Sequence, residues 1–352
     1  IQEAAKVLGI RGPRMFFRVA LPLVRPALAG GSILVLMEVL NEYGAVHYFG
    51  VNTLTVGIFR SWFSLGDLSA AMKLAGLLLL SVLVVTSTEK HLRGRTGYSL
   101  PSSRPMRAVK TTAGRSMLLL VLTSLPVLFG FVLPAAQLLA WAIRAEQSLI
   151  SPEMIRLITG SFFITGISTL VILTAAIASS HLLQNRNIRG RKFLSSVMTL
   201  GYAVPGAVIA IGVMIFFGRL DNWLNQLISF FTGDSGRLFL SGSFAALILA
   251  YSIRYLGVAF NPLDAGFTQV SSGLHEASRT LGRSSVKSLF KADLPNISSS
   301  LKAAGLLVFI DILKELPLTM ILRPFNFGTL PRYSSCRVIS GISIVFIQKE
   351  RK

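Results

Sequence analysis

The sequence predicts an all-α membrane protein, a polytopic bundle of transmembrane helices, on three observations. Charge is scarce: 14% of the 352 residues are charged, 52% are hydrophobic, and the mean hydropathy is +0.63. Water-soluble domains carry about 25% charged residues to cover their surface. Apolar runs recur at spanning length, which takes about 20 helical residues, and a helix satisfies its backbone polar groups internally, as lipid demands. Thirdly, the basic residues alternate in density from one loop to the next.

The spans are expected near 23–46, 68–88, 116–143, 159–183, 194–218, 238–260 and 303–323. A further apolar piece at 220–232, with Trp223, Leu224, Leu227, Ile228, Phe230 and Phe231, is too short to cross and is expected to pack at the interface. Seven spans place segments 1–22, 89–115, 184–193 and 262–295 on one side. Those carry 19 basic residues, against five (Arg60, Arg144, Arg156, Arg219, Arg237) in the loops opposite. The richer side is cytoplasmic by the positive-inside rule. The net charge of +20 therefore belongs to membrane topology and not to nucleic-acid binding. Segment 89–115 also holds Ser99, Pro101, Ser102, Ser103 and Pro105, and reads as a cytoplasmic basic linker. The lone Cys336 excludes an internal disulfide and a cysteine metal cage. The chain opens on Ile1 with no signal peptide, which suggests a fragment whose beginning is missing.

The chain repeats itself. Residues 3–22 (EAAKVLGIRGPRMFFRVALP) match 276–295 (EASRTLGRSSVKSLFKADLP) at an offset of 273. Glu3, Gly9 and Pro22 pair with Glu276, Gly282 and Pro295, and the register runs on to pair Glu38 with Asp311 and Glu42 with Glu315. Duplication explains this better than coincidence, and repeated halves are common in transporters. In the first copy Glu3 to Leu8 is good helix-forming sequence, and Gly9 can take the left-handed conformation that ends a helix.

Glu-Ala-Ala, three residues, Gly and then a Leu-Pro pair resembles the cytoplasmic EAA loop of binding-protein-dependent ABC importer permeases. The second copy departs from the pattern at Ser278 and Ala292, but keeps its Glu, Gly and Leu-Pro. The stretches 36–67 and 313–330 resemble in particular the fused two-half ferric-iron permeases, with thiamine and other fused permeases similar in architecture. The resemblance implies internally duplicated permease halves, truncated at both ends. Residues 1–88 would be the C-terminal part of the first half, an EAA loop plus two spans. Residues 89–115 would be the linker, and 116–330 the second half, five spans with its loop at 276–295. The tail 331–352 does not continue the repeat. Also implied are two copies of an ABC ATPase subunit, a periplasmic substrate-binding protein, and a multi-pass location in the bacterial inner membrane. The ATPase-coupling residues carried over are Glu3, Ala4, Ala5, Gly9, Leu21 and Pro22, with Glu276, Ala277, Gly282, Leu294 and Pro295. An ordinary amphipathic connector is the alternative for either copy alone.

The chain has no Gly-x-x-x-x-Gly-Lys-Ser/Thr phosphate loop, so ATP hydrolysis is expected on a separate subunit. His275-Glu276 is followed by Arg279 where a zinc helix would need a second His. No catalytic residue, cofactor or resident metal is assigned. Carboxylates within spans are costly and are functional candidates by default. Glu38 and Glu42 share a helical face four residues apart, and Asp311 and Glu315 repeat the pair. These four are the candidate translocation path. Ferric iron, a hard cation, suits carboxylate and phenolate oxygens, so Tyr43 and Tyr48 are nearby candidates. The structural alternative pairs the acids with Lys314 or Arg254. A secondary transporter would lack the repeated loop, and a non-functional permease fragment is the remaining reading.

Overall fold

Helices make up all regular structure in the residues that the computed structural model describes, which are 9, 12–93, 112–144, 152–183, 190–232, 240–269 and 285–324. Pro13–Met15 and a π turn at Phe16–Ala20 lead into α1 (Leu21–Asn41). After α2 (Gly44–Tyr48) and α3 (Leu54–Phe59), a π turn at Arg60–Ser64 precedes α4 (Leu68–Arg93). Thr53 begins α3 by accepting the Val56 N–H on its hydroxyl at 3.3 Å, and Asp67 does the same for Ala70 at the start of α4, at 2.9 Å. Next come α5 (Ala113–Val127), a π turn at Leu128–Val132, and α6 (Leu133–Arg144). The remaining long helices are α7 (Pro152–Leu183), α8 (Arg191–Ala203), α9 (Gly206–Thr232) and α10 (Phe244–Gln269). Ser285–Ser288, a π turn at Leu289–Asp293 and Leu294–Asn296 then lead to α11 (Ser298–Lys314) and α12 (Pro317–Leu322).

Five stretches are long and apolar enough to cross a bilayer: Leu68–Thr88, Ala113–Trp141, Met154–Leu183, Gly206–Phe230 and Phe244–Thr268. The bent pair Leu289–Asn296 and Ser298–Lys314 makes a sixth if taken as one span. The protein is therefore an all-α, multi-pass membrane protein.

Two units are distinguished by their internal packing. The smaller, Arg95–Arg156, is the run α5–α6, apolar on all its faces as a membrane span is. In the larger unit, Ile1–Gly94 and Leu157–Lys352, two cores form. One joins Ile172 and Ala176 of α7, Ala210 and Phe217 of α9, Ala250, Tyr251 and Tyr255 of α10, Val308 of α11 and Leu318 of α12. The other crosses between the repeats, packing Tyr43, Ile58, Phe59 and Leu78 against Ala207, Ile211 and Leu316.

Five expected segments are corrected here. The span expected at 194–218 is not one helix: the chain breaks at Val204 and Pro205 between α8 and α9. Pro205 has no N–H and disfavours helix in the residue before it, and Val204 is extended at ψ 129°. The piece 220–232 is no separate interfacial segment but the last turns of α9, so Arg219 lies inside a helix and not in a loop. Likewise the runs at 23–46 and 303–323 are broken, after Asn41 and after Lys314. Finally, α10 starts at Phe244 and runs nine residues past the expected end at 260. It tolerates Asp264 because Arg191 of α8 lies 3.6 Å away.

α8 packs on α10 through glycines. A Cβ at Gly201 would overlap the Ile253 carbonyl, and one at Gly257 would come within 2.9 Å of the Thr199 Cα. Small residues allow this backbone approach in membrane bundles. Gly257→Leu is expected to cost about 1–3 kcal/mol or more through overpacking, read as a lower melting temperature in detergent. An unchanged melting temperature would show that the two helices do not meet in this way.

Candidate functional site

The repeat seen in the sequence recurs in the backbone at the same offset of 273. The π turn Phe16–Ala20 matches Leu289–Asp293, the helix starts at Leu21 and Leu294 match, and the helix ends at Asn41 and Lys314 match. Glu42 (φ −66°, ψ 126°) and Glu315 (φ −71°, ψ 114°) then interrupt both helices with extended backbone. The chain resumes as helix at Gly44 and Pro317, again 273 apart.

Each π turn has a local cause. A proline ring collides with the carbonyl four residues earlier in a regular helix. Pro22 and Pro295 follow turns in which the N–H of Leu21 reaches back to Phe16 and that of Leu294 to Leu289, widening the helix just before the ring. Of the coupling candidates, Leu21, Pro22, Leu294 and Pro295 stand at these points. Gly9 has φ +75°, the left-handed conformation expected of it. Glu3, Ala4, Ala5, Glu276, Ala277 and Gly282 lie outside the described residues. Behind the second copy, the buried Asp293 carboxylate lies 3.9 Å from Nδ1 of His181, in the last turn of α7.

At the other end of these helices, three breaks meet. Breaking a helix frees backbone groups that lipid cannot satisfy, and side chains take them up here. Asn41 Oδ1 accepts the Gly206 N–H at 2.8 Å, and Arg254 Nη1 donates to the Val204 carbonyl at 2.8 Å. Arg254 Nε also faces Glu315 Oε2 at 3.5 Å, with both side chains 5% exposed. Tyr255 donates to the same Glu315 oxygen at 2.6 Å. Tyr251 and Thr319 hydroxyls join at 2.5 Å, and Thr319 donates to the Glu315 carbonyl at 2.7 Å. Gly206 is required by this crowding, since a Cβ there would strike Glu315 Oε1.

The four path candidates thus have three environments. Glu315 is buried against Arg254. Glu42 is exposed, and its Oε1 accepts the Ala45 N–H at 2.9 Å. Glu38 and Asp311 both reach Lys314 Nζ, at 3.0 and 3.1 Å. Tyr43 is buried against Phe59, their rings 4.1 Å apart, whereas Tyr48 is half exposed. Among the described residues, no three His, Cys, Asp or Glu side chains converge as metal ligands. Sequence reasoning named Arg254 and Lys314 only as partners for the acids, and missed Asn41, Tyr251, Tyr255 and Thr319. One signal was present: a cation such as Arg254 inside an apolar span is itself a functional candidate.

Missed as well was Asp221 of α9, fully buried, whose two oxygens accept the N–H groups of Leu240 and Ser241 at 2.9 and 2.7 Å.

Comparison with known proteins agrees with this architecture. The chain is 27% identical over 341 residues to the Fe(3+)-transport system permease protein FbpB 2 of Haemophilus influenzae, covering 94% of this chain and 63% of that protein. It is 20% identical to the ferric transport system permease protein FbpB of Actinobacillus pleuropneumoniae, over 88% of this chain and 46% of the relative. The chain therefore spans less than two thirds of the length of either. A molybdate/tungstate transport system permease protein, WtpB of Pyrococcus furiosus, is 23% identical over 211 residues, which is 59% of this chain and 75% of that one. The model of the binding-protein-dependent transport system inner membrane component matches residues 1–93 and 172–332, both repeats and more than half of the sequence, and the chain belongs to that family.

Proposed function

We propose that this chain is the membrane permease part of an ATP-driven importer of ferric iron in a bacterial inner membrane. Its two EAA loops dock on ATPase subunits, and a periplasmic binding protein delivers the cargo. The observation that carries the coupling role is the pair of matched segments, each a π turn followed by Leu-Pro, which runs straight into α1 in the first copy and meets α11 across a 75° bend in the second. A docked subunit that tilts the first loop turns α1, which continues from it to the broken, polar junction, and one that tilts the second acts on α11 through the bend at Ile297. Iron is supported by the two ferric relatives and by the span carboxylates, of which Glu38 and Glu42 are the accessible pair. The molybdate/tungstate relative makes an oxyanion the second reading.

The test is reconstitution with the cognate ATPase and binding protein, measuring ATP-dependent uptake of radioactive iron beside molybdate. Glu42→Gln is expected to lower iron uptake per folded molecule about tenfold, equivalent to about 1.4 kcal/mol of barrier, with ATPase binding intact. Gly9→Val, which forces a β-branched residue to positive φ, and Glu276→Lys are expected to reduce co-purification of the ATPase while leaving insertion unchanged. Molybdate uptake without iron uptake would reassign the cargo. Full ATPase recovery with both loop variants would remove the coupling role.

A further inference from the structure

We propose that Lys314 seals the pathway between the two repeats against small cations, holding Glu38 of the first repeat and Asp311 of the second on a single ammonium. The inference rests on the transport reading above, and assigns the resting state of that same path.

Geometry locates the ammonium. Glu38 and Asp311 are equivalent positions of the duplication, and both carboxylates lie against the same atom, Lys314 Nζ, at 3.0 and 3.1 Å. An atom that touches the same position in both repeats lies close to the axis relating them. Position 314 and its equivalent, Asn41, both stand at this boundary between the repeats. Each ends its helix, and each reaches across to the other repeat: Lys314 to Glu38, Asn41 to the Gly206 N–H at 2.8 Å. In a permease built from two halves, the cargo's route runs between them.

Exposure separates this triad from the ion pair beside it. Arg254 and Glu315 are each 5% exposed and tie the break before α9 to the break after α11, a contact suited to permanence. Lys314 is 54% exposed and Glu38 51%. Charged groups within a membrane protein turn to water or to one another and not to lipid, so this triad borders an aqueous space. An ion pair with access to water exchanges its partners readily, because water replaces the lost contact.

The chemistry gives the role. Two carboxylates on a pathway, left to themselves, attract any monovalent cation, and such a leak would dissipate the membrane potential. A tethered ammonium occupies that place at rest and cannot diffuse away. Opening the repeats, or a more highly charged cargo, separates it from its acids.

The experiment uses the purified chain in liposomes loaded with a thallium-quenched dye, without ATP, cargo or partner subunits. Wild type is expected to be tight, and Lys314→Ala to raise thallium influx at least tenfold. The reversed pair Glu38→Lys with Lys314→Glu keeps one cation and two anions, and is expected to restore tightness. Elution as a single species in detergent identifies folded variants. A tight Lys314→Ala, a wild type as leaky as that variant, or a reversed pair that leaks as much would each overturn the proposal. Iron uptake plays no part in this readout, so losing the iron assignment would appear in the uptake assay alone.

Discussion

Replacing Arg254 by methionine is expected to destabilise the folded protein by about 3–5 kcal/mol, the usual consequence of leaving one charge of a buried pair without its partner. Glu315, 5% exposed, would keep a negative charge in a space from which its cation had gone. The Val204 carbonyl, freed by the break before α9, would lose its 2.8 Å donor in the same step. Methionine fills much of the arginine volume, so the loss comes from charge and hydrogen bonding more than from a cavity. The double variant Arg254→Met with Glu315→Leu removes both charges and is expected to recover most of the stability, since apolar replacement of a buried pair is often neutral. Thermal unfolding in detergent reads both. A single variant as stable as wild type would mean that the pair contributes nothing; a double variant no better than the single would place the cost in the Val204 contact.

Asp221→Ala should produce the second large effect. Hydrogen bonds to a charged group contribute about 1.5–3 kcal/mol each, and Asp221 accepts two, from Leu240 and Ser241, where the chain prepares to enter α10. Removing the carboxylate leaves two N–H groups without their acceptor, so the cost is expected at about 3 kcal/mol. Amide exchange at Leu240 and Ser241 should then quicken at least tenfold, with little change at buried α7 positions such as Ile172. Asp221→Asn keeps the shape but supplies one acceptor oxygen in place of two, and should fall between. Unaltered exchange at both amides in Asp221→Ala would show that other groups hold the turn.

The duplication makes a comparison within one chain. Glu42 and Glu315 occupy equivalent breaks, and each has an oxygen facing an N–H of the following helix, Ala45 for one and Leu318 for the other. Their surroundings differ because different helices face them: α10 brings Arg254 and Tyr255 to Glu315, while Glu42 is exposed. Equal residues at equal positions thus have different surroundings. At Ala20 and Asp293 the residues themselves differ, and only the second copy carries an acid, set against His181 of α7.

Composition and apolar run length were sufficient, from the sequence, for the all-α membrane class and most of the spans, the 273-residue register for the duplication, and the resemblance of the two EAA segments for the family. They suffice because lipid imposes one backbone solution on any apolar run of that length, and because a duplication preserves spacing even where residues change. The helix breaks were less legible. A hydropathy window averages over Val204 and Pro205 as if they continued a span, although Pro205 itself was the warning. What only the tertiary structure decided is which acid meets which cation. Glu38, Glu42, Asp311 and Glu315 look alike in one dimension, but the ionic environment of each depends on side chains that folding brings from as far as 276 residues away, as Lys314 is brought to Glu38. Coulombic interaction depends on distance in space and on burial, and neither is encoded by position along the chain.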